Sequence, residues 1–549
     1  MSLEALAVME KNQGTKSQLV SRGVSYDVIA IGSGHNGLIA AAYLAKAGKK
    51  VLVLEKNDWF GGGVVTSELV APGFQHDWHS ATHVVIQANP LIRNDELQLI
   101  SKYGLKYIYP EAVFSTIFDD QTSIISYTDL ERTCESIAKI SPRDAEAYRK
   151  FAVNSAQILP LIVSGMFVPP PPQGPFWALL DQSPEGRELM LNIQMSMLDI
   201  VRERFTHEKV MVHLLKFAAE MLVGPDVKGT GAFLYNMPGF VHAYPPGVPI
   251  GGSAGLVKAL IACLQAHGAE LRSGAEVEKV LGKGGRASGV RLKGGETIYA
   301  KTAVIAQIHP WFLGDMVEGL DARIATNARN TKTAGLAIMT QHYALNEPPK
   351  YHAGEEPGRA ALANFAPAAL ENYLRIFDDF AYGDMGSEHT MLAAHVNSQF
   401  DPTRAPPGKA ALTVFAFGPY DLRDGGAAAW NTRKAELGDW IRAHYARYVS
   451  NLDAANVIGW RFETPLDMER DSPTFQRGDV GGIGKYFYQI GGFRPTPELA
   501  QYAVPGVEGL YLAGTFMHPP GGVTGGGRAT AVKMCGDLGI DFDKLAGTR

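Results

Sequence analysis

Glycines near the start of the chain are spaced as in a turn that binds phosphates. Gly32, Gly34 and Gly37 form a G-x-G-x-x-G pattern directly after an apolar run, residues 28–31, and before an alanine-rich stretch. This order predicts a strand, a tight turn and a helix. Gly32 would permit the turn, Gly34 would let the backbone approach a pyrophosphate, and Gly37 would let helix and strand pack closely. The pyrophosphate would then meet the free N–H groups and positive dipole end of the helix.

An acidic residue stands where a ribose ligand is expected. A second apolar run, residues 51–54, ends in Glu55, about 20 residues beyond the last glycine of the pattern. A carboxylate at that place would accept hydrogen bonds from the ribose hydroxyls. The combination favours a dinucleotide-binding unit over a glycine-rich turn of an ordinary α/β protein.

Two further glycine-rich stretches have the composition of cofactor loops. Gly61, Gly62 and Gly63 follow the second predicted strand, and residues 509–528 read as a buried strand, a Gly/Pro loop and a helix that begins near Gly526. Such a backbone can lie flat against a planar ring, and the helix N-terminus can stabilise negative charge on a reduced ring. An ordinary strand-turn-helix is the alternative for the C-terminal stretch.

Several histidines are candidates for acid–base chemistry because imidazole titrates near neutral pH. His76, His79 and His83 fall within eight residues, and His518 lies in the C-terminal Gly/Pro loop. The spacing of His79 and His83 fits one helical turn, so a metal site is an alternative, but few other ligands stand nearby and we predict none. We expect His518, His79 or His83 to contact substrate, to act as a base, or only to pack.

Composition excludes several classes of protein. The chain has 549 residues, a net charge of −5 and 46% hydrophobic residues, which suits a globular protein of two or more domains and gives no reason to expect nucleic acid. Three cysteines without a C-x-x-C pair indicate reduced thiols and a cytoplasmic location. The first 25 residues read as a flexible leader without an export signal, and no apolar run is long enough to span a bilayer.

The pattern along the chain predicts an interrupted sheet domain. Residues 91–234 read as mostly helical, with Leu97, Ile100 and Tyr103 spaced as on a helix face and a capped helix start at Ser141. Residues 158–168, broken by Pro160, read either as a membrane-facing lip for a greasy substrate or as a buried helix. A helix at 256–266 and four short strands up to residue 306 would extend the first parallel sheet. Beyond it, strands at 336–345, 390–396 and 411–417 and a helix at 430–452 suggest an antiparallel wall.

Taken together, these stretches resemble the phytoene-desaturase-like flavoproteins within the FAD-dependent amine oxidase superfamily. The more particular features are Gly-Gly-Ser-Ala-Gly-Leu at 251–256, Arg494-Pro495, and Gly514 through His518-Pro519 to Gly521-Gly522-Val523. Two stretches depart from the family pattern, since Gly63 stands where Arg is frequent, and Met517-His518-Pro519-Pro520 stands where Thr-His-Pro-Gly is usual.

The resemblance implies an α/β fold, with a Rossmann-like FAD-binding domain of the glutathione-reductase and amine-oxidase type interrupted by a mixed α+β substrate domain. It assigns residues 26–90, 239–310 and 496–549 to the FAD-binding domain, and 91–238 and 311–495 to the substrate domain. It places the adenine on the Val277 backbone and the flavin ring near the C-terminal loop. The FAD contacts that it implies are Gly32, Ser33, Gly34, Gly37, Glu55, Lys56, Gly62, Gly63, Val277, Gly514, Val523 and Thr524.

The implied activity is hydride transfer from an apolar, isoprenoid-like or aromatic substrate to flavin N5. Oxygen or a quinone would reoxidise the flavin, and peripheral membrane contact would give access to the substrate. A flavin-dependent saturase, a non-redox polyene isomerase and a non-catalytic escort protein of the same fold are the alternatives.

Overall fold

The computed structural model describes residues 25–385 and 388–547. The predicted leader thus lies outside the described residues except for Ser25, which begins the first strand. The strands are β1 (Ser25–Ile31), β2 (Val51–Leu54), β3 (Thr66–Glu68), β4 (Gln75–Asp77), β5 (Tyr107–Ile108), β6 (Ala112–Phe118), β7 (Ser123–Tyr127), β8 (Val248–Pro249), β9 (Glu270–Arg272), β10 (Val277–Lys283), β11 (Arg286–Leu292), β12 (Thr297–Ala306), β13 (Ala337–Leu345), β14 (Leu362–Ala366), β15 (Leu392–His395), β16 (Ala410–Gly418), β17 (Val457–Glu463) and β18 (Leu510–Leu512).

Helices surround these strands and form most of the region between β7 and β8. The α-helices are α1 (His35–Lys46), α2 (Pro90–Arg93), α3 (Leu130–Ala138), α4 (Pro142–Met166), α5 (Gln173–Leu180), α6 (Pro184–Gln194), α7 (Met197–Arg204), α8 (Glu208–Glu220), α9 (Gly231–Ala243), α10 (Ala254–Ala266), α11 (Leu313–Met316), α12 (Ala322–Arg329), α13 (Glu355–Gly358), α14 (Leu370–Ala381), α15 (Ala429–Thr432), α16 (Lys434–Ala446), α17 (Pro465–Asp471), α18 (Gly527–Asp537) and α19 (Phe542–Ala546).

The first sheet gathers strands from both ends and the middle of the chain. Its parallel part runs in the order β9, β2, β1, β12, and β18 pairs in parallel with the end of β12. The antiparallel strands β10 and β11 extend it beyond β12. Strands β1 and β2 are almost wholly apolar because both faces of a parallel sheet are covered, here by α1, α10 and α18 on one face. The predicted resumption of the first sheet by residues 270–306 is therefore observed, but the prediction that all of these strands are parallel is wrong at β10 and β11, which form antiparallel pairs.

The second sheet has seven strands in the order β17, β13, β16, β15, β14, β6, β7 and is antiparallel except where β14 meets β6. One face packs on α8, α14 and α16 in the largest hydrophobic cluster of the described residues. The predicted antiparallel wall exists. The prediction that residues 91–234 are mostly helical is wrong at β6 and β7, which join strands more than 200 residues later in the chain.

Three local predictions also differ from the structure. Leu97, Ile100 and Tyr103 lie in turns, because Asp95 and Gln98 adopt positive φ and the Asp95 carboxylate accepts the N–H groups of residues 100 and 101. The helix predicted over 430–452 is split into α15 and α16 and ends at Ala446, since residues 449 and 450 pair with residues 350 and 351. Helix α4 continues through Pro160.

None of the described helices combines the length and apolar character needed to cross a bilayer. The three cysteines, Cys134, Cys263 and Cys535, are free and buried.

Candidate functional site

One large cavity lies between the two sheets and the helices that follow β7. Its volume is about 1120 Å³, slightly above the usual 300–1,000 Å³ of a ligand pocket. The predicted FAD contacts line it, with the exception of Gly37: they are Gly32, Ser33, Gly34, Glu55, Lys56, Gly62, Gly63, Val277, Gly514, Val523 and Thr524. His79 and His518 line the cavity as well. The fold thus brings together residues from both ends of the chain, from Gly32 to Thr524.

The first glycine turn is built around a glutamine. Gly32 has φ +84°, and its carbonyl accepts a hydrogen bond of 2.7 Å from Nε2 of Gln307, the residue after β12. A Cβ atom at Gly37 would lie 2.1 Å from that same Nε2 atom. Residue 37 must therefore be glycine, because the Gln307 side chain fills the space next to it. The prediction that Gly37 lets helix and strand pack closely did not include this side chain.

The second glycine turn lies against the first. A Cβ atom at Gly62, where φ is +60°, would fall 3.0 Å from the Cα atom of Gly34. Gly61 donates its N–H to Oγ of Ser33 at 3.0 Å. Both turns therefore form one glycine-lined concavity at the start of α1, whose N-terminal N–H groups have no side-chain cap.

Glu55 is held in place at the edge of this concavity. Its buried carboxylate accepts hydrogen bonds from the Ser33 N–H (2.9 Å), the Ser33 hydroxyl (2.6 Å) and the Asn57 N–H (3.0 Å). Oε2 accepts both bonds from Ser33, whereas Oε1 accepts only the Asn57 N–H, so these contacts orient Glu55 and leave Oε1 able to accept a hydroxyl donor.

The loop between β18 and α18, residues 513–526, is attached to the N-terminal half of the site. Asn89 Nδ2 donates to the carbonyls of Thr524 (3.1 Å) and Gly525 (3.0 Å). Gly527 donates its N–H to Oδ1 of Asn36 at 3.1 Å, and a Cβ atom at Gly527 would lie 1.9 Å from the Asn36 carbonyl oxygen. The N-termini of α1 and α18 therefore meet beside the cavity.

A buried ion pair fixes the same junction. The Arg528 guanidinium binds both carboxylate oxygens of Glu96 at 2.8 Å, while the hydroxyl of Tyr43 donates to Glu96. Arg528 also donates to the carbonyl of Phe167 at 3.0 Å, which ties the end of α4 to α18. Bidentate geometry of this kind orients as well as binds.

Arg494 holds the C-terminal loop on its other side. This fully buried side chain donates to six backbone carbonyls, those of Gly481, Ile483, Gly484, Gln489, Thr515 and Met517. The glycine-rich segment 478–484 is thereby fixed against the loop that contains Gly514. Burial lowers the pKa of Arg494 to about 10, so it remains charged at neutral pH.

A phenylalanine occupies the space beside Gly63. A Cβ atom at Gly63 would lie 2.4 Å from Cζ of Phe475, which also lines the cavity. The arginine frequent at this position would collide with that ring. The departure at residue 63 is therefore matched by Phe475, whose ring also packs edge-on against His79 with centroids 5.2 Å apart.

The three predicted histidines differ in their surroundings. Burial lowers the pKa of each to about 4. His518 Nε2 lies 2.8 Å from the Gly165 carbonyl, and its Nδ1 has no hydrogen-bond partner among the described residues, as is true of His79 Nδ1. His83 does not line the cavity, and its Nδ1 lies 2.8 Å from the Tyr107 hydroxyl.

Segment 78–84 is not helical, so the helical spacing on which the metal alternative depended is absent. Over residues 25–385 and 388–547, no three His, Cys, Asp or Glu side chains come together in a geometry that could hold a metal ion.

Beyond the glycine turns the cavity wall is mostly apolar, with a few polar or charged side chains such as Asn236, Asp471 and Lys485. The second sheet contributes Ile338, Phe415 and Phe417, and the helices contribute Trp177 and Phe240.

The residues that the sequence analysis missed at this site support others through long-range contacts. Gln307, Phe475, Asn89 and Glu96 each lie outside any recognisable motif. The glycines at 37 and 63 were the available signals, because a glycine inside a helix or motif indicates close approach by another group.

The donors and shapes at this site fit a dinucleotide carrying a planar ring. The concavity formed by Gly34 and Gly62 leaves no room for side chains, and the uncapped N–H groups of α1 favour an anion. The carboxylate of Glu55 suits ribose hydroxyls, and residues 513–526 supply a glycine-rich surface for a ring.

Comparison with known proteins agrees with this geometry. Residues 31–94 match the family model described as an NAD(P)-binding Rossmann-like domain. A limonene dehydrogenase chain of Castellaniella defragrans is 26% identical, over 94% of this chain and 95% of that protein. The lycopene-forming phytoene desaturase of Pseudescherichia vulneris is 24% identical, over 93% of this chain and 99% of that protein. The cyclohexylamine oxidase of Brevibacterium oxydans has a similar fold, with a TM-score of 0.56 and 16% identity over 95% of this chain and 99% of that one.

The predicted resemblance to the phytoene-desaturase-like flavoproteins, the fold class and the enzyme class are confirmed, and the chain is an FAD-dependent oxidoreductase.

Proposed function

We propose that the protein dehydrogenates an apolar isoprenoid or aromatic molecule in the cavity, with FAD bound along the three glycine-rich stretches. The observation that carries this proposal is a continuous cavity that is lined by the glycine turns at one end and by aromatic and aliphatic side chains at the other. The small apolar substrate is in keeping with the names of the relatives, which refer to limonene and phytoene.

The chain's own residues would hold the cofactor at defined places. The turn containing Gly32 and Gly34 and the N-terminus of α1 would bind the pyrophosphate, Glu55 would accept ribose hydroxyls, and Val277 would meet the adenine. Gly514, Val523 and Thr524 would lie at the ribityl and ring end, on the loop that Arg494 and Asn89 hold in place. When bound, FAD supplies a hydride acceptor at its N5 atom.

The protein would contribute mainly placement and exclusion of water. The wall formed by Ile338, Phe415 and Phe417 would pack against an apolar substrate and hold it near the C-terminal loop. Where the reaction also releases a proton, the Nδ1 atom of His518 or His79 would receive it, because both are unpartnered among the described residues and uncharged at neutral pH. Their lowered pKa makes them weak bases, so we place substrate positioning ahead of proton transfer.

The cavity opening suggests how a greasy substrate enters. Leu161 and Phe493 line the cavity and are also exposed at the surface, and the neighbouring helices α5 and α6 expose Leu179 and Leu191. We propose that this apolar rim contacts a membrane surface peripherally. A cytoplasmic location and reoxidation by oxygen or a quinone complete the proposal.

Anaerobic reduction of the flavin tests the proposed function. The purified full-length protein, loaded with FAD, would be mixed without oxygen with terpenoid, carotenoid and aromatic compounds, and loss of the flavin absorbance would be followed. Bleaching by an apolar compound is expected. If the protein takes up FAD and converts a polyene without loss of the flavin absorbance, it is an isomerase. If only an external electron donor reduces the bound flavin, it is a saturase. If the protein never takes up FAD, it is an escort protein.

A further inference from the structure

The second sheet presents the polar side chain of His395 to the cavity as well as apolar side chains. On β13, β16 and β15, His342, Thr413 and His395 lie directly opposite one another across the strands. Residues opposite each other in antiparallel strands project to the same face, here the face that carries Phe415 and Phe417 into the cavity. His395 therefore stands at the edge of an otherwise apolar wall.

His395 has both ring nitrogens unused. The residue is 3% exposed and lines the cavity, and neither Nδ1 nor Nε2 has a hydrogen-bond partner among the described residues. A buried polar atom without a partner is costly, so a native structure normally supplies one. Thr413, the hydroxyl opposite His395, is instead 3.1 Å from His342 Nδ1.

His79 lies near the same end of the cavity. Asn397, two residues after His395, donates to the carbonyl of Ala81, two residues after His79, at 3.4 Å. His79 Nδ1 is likewise buried without a partner among the described residues. Two imidazoles with free nitrogens therefore line the same cavity, on segments that the Asn397–Ala81 hydrogen bond joins.

The charged groups around the two imidazoles are paired with each other. Arg404 is bound to Asp77 at 2.7 Å, and the buried Glu463 lies 2.8 Å from Arg461 and 3.6 Å from His342. Burial lowers the pKa of His79 to about 4 and that of His395 to about 3, so both rings are neutral at pH 7. A neutral imidazole offers one donor and one acceptor, which matches a hydroxyl group or, through the donor alone, a carbonyl.

We infer that His395 and His79 form a polar subsite that binds one uncharged oxygen, a hydroxyl or carbonyl group, of an otherwise apolar substrate. This inference rests on the proposed function, since it names the substrate class of the same cavity. The subsite would fix which end of the molecule faces the wall and therefore which carbon faces the C-terminal loop.

Binding of a matched set of compounds tests the subsite. The FAD-loaded, full-length protein would be titrated anaerobically with p-cymene, 4-isopropylbenzyl alcohol, 4-isopropylbenzoate and 4-isopropylbenzylamine, and dissociation constants taken from flavin difference spectra. We expect the alcohol to bind at least as tightly as p-cymene, and the two ions at least tenfold more weakly than the alcohol. In a chamber without polar partners the alcohol would instead bind about tenfold more weakly than the hydrocarbon, because its hydroxyl would be buried unpaired.

Substitutions separate the subsite from general packing. His395→Leu should weaken binding of the alcohol about fivefold to tenfold and leave p-cymene within twofold, whereas His395→Gln, which keeps a donor and an acceptor, should retain part of the preference. Phe417→Leu on the same wall is the control and should weaken both compounds alike.

Each outcome decides a separate question. Preference for p-cymene in the wild-type protein, or equal losses for both compounds in His395→Leu, would overturn the subsite. If His395→Leu does not fold, the wild-type series and His395→Gln give the answer. Flavin bleaching is recorded independently, so a protein that binds the alcohol selectively but is bleached by no compound of the wider panel would refute the proposed function and not the subsite.

Discussion

Gly37 and Gln307 should be energetically coupled, because the Gln307 side chain in its present position leaves no room for a side chain at residue 37. A methyl group at residue 37 would lie 2.1 Å from Gln307 Nε2 and would displace the side chain that donates to the Gly32 carbonyl at 2.7 Å. Losing that hydrogen bond and leaving the carbonyl without it costs about 1–3 kcal/mol. The gain in helix propensity from Gly to Ala returns about 1 kcal/mol of folding stability, so Gly37→Ala should lower the free energy of unfolding by about 0–2 kcal/mol, whereas the loop geometry that binds FAD bears the full loss of about 1–3 kcal/mol.

The expected signature is a double-mutant cycle on FAD affinity. A cost of about 1–3 kcal/mol in loop geometry corresponds to a dissociation constant raised about fivefold to 150-fold in Gly37→Ala, and a similar rise is expected in Gln307→Ala. In the Gln307→Ala background, Gly37→Ala should change the constant by less than about twofold, because no side chain remains to be displaced. FAD titration of the apoprotein, followed by quenching of flavin fluorescence, measures all four constants.

Gly536→Ala is the matched control. Gly536 lies in α18 with no heavy atom near the position of an added Cβ, so the substitution should leave FAD binding unchanged. Additive effects of Gly37→Ala and Gln307→Ala would refute the reasoning, since they would mean that the two positions do not compete for the same space.

Three further predictions follow from the site. Gly63→Arg should weaken FAD binding at least tenfold, because the arginine would collide with Phe475. The double variant Gly63→Arg/Phe475→Ala should recover most of this loss in the same titration. If Phe475→Ala does not restore binding, the Phe475 ring is not the obstacle. Glu55→Ala should weaken FAD binding about tenfold to a hundredfold, since it removes a charged acceptor worth about 1.5–3 kcal/mol, whereas Glu270→Ala, at an exposed carboxylate on the neighbouring strand, should leave the constant unchanged. Burial lowers the pKa of His79, His83 and His518 to about 4 in the folded protein, against 6.5 in the unfolded chain, so between these two pH values only the unfolded chain takes up protons at these residues. The free energy of unfolding should therefore fall as the pH drops from 6.5 to about 4. His83→Asn should reduce the slope of melting temperature against pH, and an unchanged slope would contradict this assignment.

The parts of the fold that depend on local pattern were predictable. The turn at Gly32, the strand that ends at Glu55 and the Ser141 cap each follow from residue type and short spacing, and all are observed. Strands β6 and β7 were not predictable in this way, because β6 pairs with the distant strand β14. The helices between these strands dominate the hydrophobic pattern of that part of the sequence. The end of α16 at Ala446 is likewise decided by a distant segment, residues 350–351.

The site was predictable in its backbone and less so in its side chains. Glycines at 34, 62 and 514 indicated where a ligand approaches the main chain, and the fold brings them to one cavity. Gln307 and Phe475 fill spaces that the glycines leave, and no spacing rule connects residues so far apart. His395 lies in a strand predicted as part of a wall, and its free nitrogens become visible only when the neighbouring strands are in place.

A crystal structure of the purified protein with FAD tests the central claim most directly. The account predicts the pyrophosphate against residues 32–37, the ribose within hydrogen-bond distance of Glu55, and the flavin ring against residues 514–524 with one face open to the apolar wall. A ring located away from residues 514–524, or a dinucleotide bound outside the cavity, would contradict it.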